Sequence, residues 1–207
     1  MRTLTLDLLR HGETTASGIY QGVTDVALSE RGQAQMQAAL DVSPGWQNVL
    51  SSPHRRCAEM TSFLSQRHDL TSETVLWLQE YDFGLWDGRS QKDVYAEMPE
   101  QVERFWQDPE HYPPPGGETL VQLQQRVVSG IEQLWTQAQS EHVLLLTHGG
   151  VIRACVGWCL QVPAQRWVHM RLDHACFTRI CLYEDGEGFW PEVSQLNSPG
   201  LPSVTGR

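Results

Sequence analysis

Between Val143 and Thr147 the chain reads VLLLT, an apolar run without the alternation of a half-solvated strand. Such a strand is buried on both faces, which restricts the fold to a sheet covered by helices on either side. Further strand-like runs lie at Leu4 to Leu9 and Val49 to Ser51, with helical signals between them. Ser29 opens SERGQAQMQAAL as an N-cap, and Ser52 with Pro53 gives an N-cap and N1 proline ahead of Cys57, Met60, Thr61 and Leu64 at i, i+3, i+4, i+7. Thr119 to Gln122 is a capping box that starts a helix with Leu120, Leu123, Val127, Ile131 and Leu134 on one face, and VIRACVGWCL reads as another helix, ended by Pro163. This alternation predicts a three-layer α/β/α fold with a mainly parallel sheet. Phe177 to Tyr183 and Glu192 to Leu196, joined by the turn-rich EDGEG, add an antiparallel edge. The loop HYPPPGGET carries no linker signal, and 207 residues with 40% hydrophobic content predict a single domain over 1–207.

With 15 Lys and Arg against 25 Asp and Glu, the formal net charge is −10, and the summed field repels a long nucleic-acid backbone. An anionic partner must therefore be small and held by a local cluster. The five cysteines, Cys57, Cys155, Cys159, Cys176 and Cys181, are odd in number and lack CxxC spacing, which suits reduced thiols rather than disulfides or a metal site. There is no secretory pattern at the N-terminus and no apolar run approaching ~20 residues. The expectation is a soluble cytoplasmic chain without nucleic-acid or membrane partners; oligomeric state is left open.

Three of the expected strand ends carry the same kind of chemistry. Leu9 is followed by Arg10-His11-Gly12, Ser51 by a helix start that carries Arg56, and Thr147 by His148-Gly149-Gly150. Ligands of open α/β sheets sit outside the carboxyl ends of strands, so neighbouring strands would bring two arginines and two histidines to one spot. Arginine forks and helix N-termini suit a phosphoryl dianion. A neutral imidazole there is a competent nucleophile toward phosphorus, and such a reaction needs a proton donor for the leaving alcohol. Glu80, in LQEYDFGLWDG, is the candidate acid.

The motifs LLRHGET, SSPHRRCAEMT, LQEYDFGLWDG, PPGGET and LLTHGGVIR, in this order, resemble branch 1 of the histidine phosphatase superfamily, the phosphoglycerate mutase-like proteins. The resemblance implies a phosphohistidine at His11, phosphate contacts from Arg10, Arg56, His148 and the Gly149 N–H, and Glu80 as general acid and base. Gln21 and Gly22 fall where the family often has further substrate contacts. Ser17 stands where the family often has Asn, and Met60 where it usually has Thr, with Thr61 one place later. No metal or cofactor is implied, and the partner is a small phosphorylated metabolite. Mutases of this family carry a longer insertion after the acid motif, so the short chain favours net hydrolysis. Within the superfamily, EYDFGLWDGRS, WQDPEHYPPPGGETLVQLQQRV and the segment from Trp167 to Gly186 followed by VSQLN look like the bacterial alpha-ribazole phosphatases, with a broad-specificity sugar or small-molecule phosphatase, or a phosphoglycerate mutase-type phosphoryl transferase, as the alternative.

Other residues receive plainer readings. His54, His68, His111, His142 and His169 are expected to be structural or on the surface, Arg31, Arg55, Arg153 and Arg171 solvated or ion-paired, and His174 is given no role. Tyr81, Phe83 and Trp86 suit either a stacked base or the core. PPGGET is a turn with a helix cap, and only the family resemblance places it near the site.

Overall fold

The computed structural model describes residues 2–41, 43–137, 140–186 and 188–201. The element order is β1 (Thr3–Arg10), α1 (Glu30–Leu40), β2 (Asn48–Ser51), α2 (Arg55–Ala58), α3 (Thr61–His68), β3 (Ser72–Thr74), α4 (Gln91–Glu97), α5 (Pro99–Gln107), α6 (Leu120–Gln137), β4 (His142–Thr147), α7 (Gly149–Cys159), β5 (Phe177–Asp185) and β6 (Gly188–Ser198). The sheet order is β3-β2-β4-β1-β5-β6. β3, β2, β4 and β1 run parallel, while β5 and β6 are antiparallel to their neighbours. Glu187 of the expected EDGEG turn lies outside the described residues, as do Met1 and 202–207 of the expected domain.

Two apolar clusters show why the central strands are continuously apolar. Leu6, Leu8, Val143 and Leu145 pack with Leu123, Val127 and Ile131 of α6 and Val151 and Ile152 of α7. Leu9, Leu144 and Leu146 point the other way and pack with Met36 and Leu40 of α1 and Cys57 and Leu64 of α2 and α3. Alternate side chains of one strand thus enter opposite layers, and every residue of β4 is buried. Within β1, Asp7 breaks the apolar pattern. Its carboxylate, fully buried, accepts hydrogen bonds from Trp46 Nε1 at 2.7 Å and Arg179 Nε at 2.7 Å, and lies 2.6 Å from His142 Nε2. His142 is therefore a buried structural residue.

The expected caps form at two helices. Ser29 Oγ accepts from Gly32 N at 3.0 Å at the head of α1. Before α6, Thr119 N donates to Gln122 Oε1 at 2.8 Å while Gln122 N donates to Thr119 Oγ1 at 3.1 Å. The helix expected from Ser52-Pro53 is corrected. It starts at Arg55 with His54 as N-cap, and is divided into α2 and α3. The backbone tightens at the division, where Met60 N bonds to Cys57 O three residues back. Cys57, Met60 and Leu64 still point inward, so the apolar spacing is met across the break.

Candidate active site

The three strand ends meet almost in register. Arg10 of β1 pairs with Thr147 of β4, and Ser51 of β2 with Leu146. The pairing continues one step past each strand, with His11 N donating to Thr147 O at 3.0 Å and Ser52 N to Leu146 O at 2.9 Å. Arg10-His11-Gly12, Ser52 and His148-Gly149-Gly150 are thereby brought to one edge of the sheet. Gly12 is needed because the turn lies against the backbone of Gly32 at the start of α1, where a Cβ would meet the Gly32 carbonyl.

At the centre stand two buried imidazoles, His11 and His148, with ring centroids 5.2 Å apart. His11 Nδ1 donates to Gly12 O at 2.8 Å, so the ring carries its proton there and Nε2 keeps its lone pair. Burial, then the charge of Arg56, with smaller effects from Arg10 and His174, hold the His11 imidazole well below its ordinary range. The same causes, burial first and Arg56 second, depress His148. Arg56 is wholly buried and orients this ring: its Nε donates to His148 Nδ1 at 3.1 Å, Nη1 to Thr24 O at 2.9 Å and Nη2 to Gly22 O at 2.7 Å. His148 Nε2 in turn lies 2.7 Å from Ser52 Oγ. The Cys57 thiol, 3.8 Å from the same nitrogen, is pushed far up by burial and stays protonated.

Glu80 reaches the same turn from the other side. Its carboxyl Oε1 accepts from Gly150 N at 3.0 Å, at the N-terminus of α7, and from Tyr81 N at 2.8 Å. Gly149 lies against the guanidinium of Arg10, where a Cβ would sit 3.6 Å from Nε. Arg10 donates from Nη1 to Leu172 O, while its Nε is buried and without a partner. A buried guanidinium N–H without a protein partner, next to His11 in the chain, is chemically suited to an anionic oxygen.

The remaining candidates are placed less centrally. Gly22 meets the group through its carbonyl on Arg56 rather than through a free N–H. Gln21 Oε1 accepts from Thr14 Oγ1 at 2.9 Å and its amide donates to Ala16 O, which ties it within its own loop. Ser17 is exposed on that loop and its hydroxyl is joined to none of these residues. Tyr81 and Trp86 are core residues packed against Phe105, with Phe83 stacked edge-on to Tyr81. Arg31, Arg55 and Arg171 make exposed ion pairs, as expected.

Three residues read as structural, solvated or without a role belong to the site's surroundings. His54 is buried with its ring centroid 5.3 Å from that of His148, and Nε2 has no partner. His174 lies 5.6 Å from His11, ring to ring. Arg153 is drawn in from solvent, with Nη2 on Met170 O at 3.1 Å, and Nη1 facing Gly149. Its place four residues after Gly149, one turn along α7, was the available signal. Among the described residues no group of three His, Cys, Asp or Glu side chains has metal-binding geometry, and no helix is long and apolar enough to cross a membrane.

The model of the histidine phosphatase superfamily (branch 1) matches residues 6–193. An adenosylcobalamin/alpha-ribazole phosphatase from Escherichia coli is 29% identical over 84% of this chain and 87% of its own. A glucosyl-3-phosphoglycerate phosphatase from Mycolicibacterium vanbaalenii is 32% identical over 81% of this chain and 79% of its own. Among solved structures, the alpha-ribazole phosphatase of Shigella flexneri superposes with a TM-score of 0.84 at 26% identity, covering 98% of this chain and 100% of that one. The chain belongs to branch 1 of the histidine phosphatase superfamily.

Proposed function

We propose that the protein is a phosphomonoesterase that works through a phosphohistidine at His11. The observation that carries this reading is the buried, unpartnered Nε of Arg10, set beside His11 and the Gly149 turn. Arg10 and Arg56 neutralise the phosphoryl oxygens, and His148 turns its Nε2–H hydrogen bond from Ser52 to one of them. Charge on the loose transition state then meets donors that are already in place. His11 Nε2 attacks phosphorus as the ester oxygen leaves with a proton from Glu80. Glu80, now a carboxylate, takes a proton from water as that water attacks the phosphohistidine, releasing inorganic phosphate and restoring His11. Fixed arginine charges supply the neutralisation, so the scheme requires no metal.

The substrate proposed is alpha-ribazole 5′-phosphate, in assembly of the lower nucleotide loop of cobalamin, supported by the names of the Escherichia coli and Shigella relatives. A sugar phosphate is the second reading, supported by the Mycolicibacterium relative. Phosphate release in EDTA should be measured for alpha-ribazole 5′-phosphate, sugar phosphates, phosphoglycerates and para-nitrophenyl phosphate. A kcat/KM far higher for the ribazole ester supports the first reading, and flat low values remove it while keeping the chemistry. An acid-labile phosphoryl label on the wild type, absent from His11→Ala, is expected; near-full hydrolysis by that variant would overturn the mechanism.

A further inference from the structure

The loop that presents Glu80 has little structure of its own. It lies between two single 3-10 turns, Leu76–Leu78 and Gly84–Trp86, and no ladder of hydrogen bonds holds Gln79 to Phe83. Instead, three carbonyls of this segment converge on one side chain from α6. Arg126 Nη1 donates to Trp77 O and to Gln79 O, both at 2.9 Å, and Nη2 donates to Glu80 O at 3.1 Å. Its two remaining N–H groups take both oxygens of Glu118, Nε to Oε1 at 2.7 Å and Nη2 to Oε2 at 2.9 Å. All five guanidinium N–H groups are thus used, and the pair is largely shielded from solvent.

Glu118 belongs to PPGGET, the motif left above as a turn with a cap. That loop is itself bound to the far side of the acid segment: Glu118 N donates to Asp82 O at 2.9 Å and Leu85 N to Pro115 O at 2.9 Å. Gly117 packs so closely on Asp82 O that a Cβ would lie 2.6 Å from it. Resting on the proposed role of Glu80, we infer that Arg126, clamped by Glu118, is the positioning residue of the general acid. It fixes the backbone from Trp77 to Glu80, and that backbone sets where the Glu80 carboxyl meets the Gly150 turn and the leaving oxygen. A lysine keeps the charge but cannot form the fork that spans three carbonyls and a carboxylate.

The test uses the full chain and a series of aryl phosphates, from phenyl to dinitrophenyl, which differ in how much the leaving oxygen needs a proton. kcat/KM covers the steps up to the phosphoenzyme, so loss of acid catalysis shows as a loss that grows as the leaving group worsens. Glu80→Gln sets the reference, with about 100-fold loss on phenyl phosphate and little on the dinitrophenyl ester. Arg126→Lys should show the same pattern at about tenfold loss, vanadate affinity should stay within about twofold, and Glu80→Gln/Arg126→Lys should be no worse than Glu80→Gln alone. Glu118→Gln, which leaves the guanidinium in place, should reproduce the pattern more mildly and serves if Arg126→Lys fails to fold. Equal losses across the series in Arg126→Lys, or in Glu118→Gln where that replaces it, overturn the positioning role while Glu80→Gln still depends on the leaving group. If Glu80→Gln shows no such dependence, the acid role of Glu80 falls, and this inference with it.

Discussion

Arg56 Nε donates to Nδ1 of His148 at 3.1 Å, so the proton of that neutral ring sits on Nε2, facing Ser52 Oγ at 2.7 Å. One side chain therefore supplies charge to the site and selects the tautomer of its neighbour. Replacing Arg56 with Lys keeps the charge but loses the fork that also holds Thr24 O and Gly22 O. Arg56→Lys is expected to lower kcat/KM by about 10²-fold. A loss under threefold in steady-state assays would show that charge alone suffices.

The pH dependence follows from burial. In the proposed mechanism His11 attacks only as the neutral imidazole, and its burial and the charge of Arg56 hold it well below 6.5. The acid limb of kcat/KM should therefore fall below 6.5, with activity still on its plateau as pH drops through that value. A limb centred at 6.5 or higher and lost with His11 would contradict this geometry.

Stability begins to fall at higher pH than activity does. His11 and His148 have depressed values in the folded state, so the unfolded chain binds more protons below 6.5. Unfolding free energy should fall as pH is lowered through that window and level off once the folded rings protonate. Urea titrations in steps across the window measure the slope, which should be shallower in His148→Asn.

Far from the chemistry, Asp7→Asn should be the most damaging conservative change in the core. It leaves Arg179 and His142 facing an amide inside the sheet, and removing one member of such a buried group typically costs about 3 to 5 kcal/mol. Denaturation midpoints should drop while kcat of the folded fraction stays near that of the parent.

Gly12→Ala tests the close approach at the turn after β1. The added Cβ meets the Gly32 carbonyl, a backbone group that cannot turn aside, so either α1 or the turn at His11 must shift. A displacement near 1 Å at a reacting group can cost about 10²-fold, and kcat/KM should fall by that order while the chain remains folded.

What was legible in the sequence was local. The continuous apolar strands, the Ser29 cap and the Thr119 box act within a few residues, and each appears as expected. β3 was not legible, because its three residues are exposed and become a strand only by pairing with β2. α5 carried an unused signal in Pro99 followed by Val102 and Phe105, and α4 one in Ser90, whose hydroxyl accepts from Asp93 N. At the site, the strand-end rule was enough to bring Arg10, His11, Arg56 and His148 together, since parallel neighbours share an edge. His54 and His174 join them only through tertiary packing, and Ser52 looked like no more than a helix cap because a serine before a proline looks the same whether or not its hydroxyl also faces an imidazole.

The strand order has a consequence for how the chain is made. β1 lies between β4 and β5, and its first pairing partner, His142 opposite Thr5, leaves the ribosome only after all the elements from α1 to α6 have been synthesised. Until then Leu4 to Leu9 is an apolar segment with no neighbour, the condition under which nascent chains aggregate or engage chaperones. The strand that leads into His11 is thus made before its partners β4 and β5 and secured only after them.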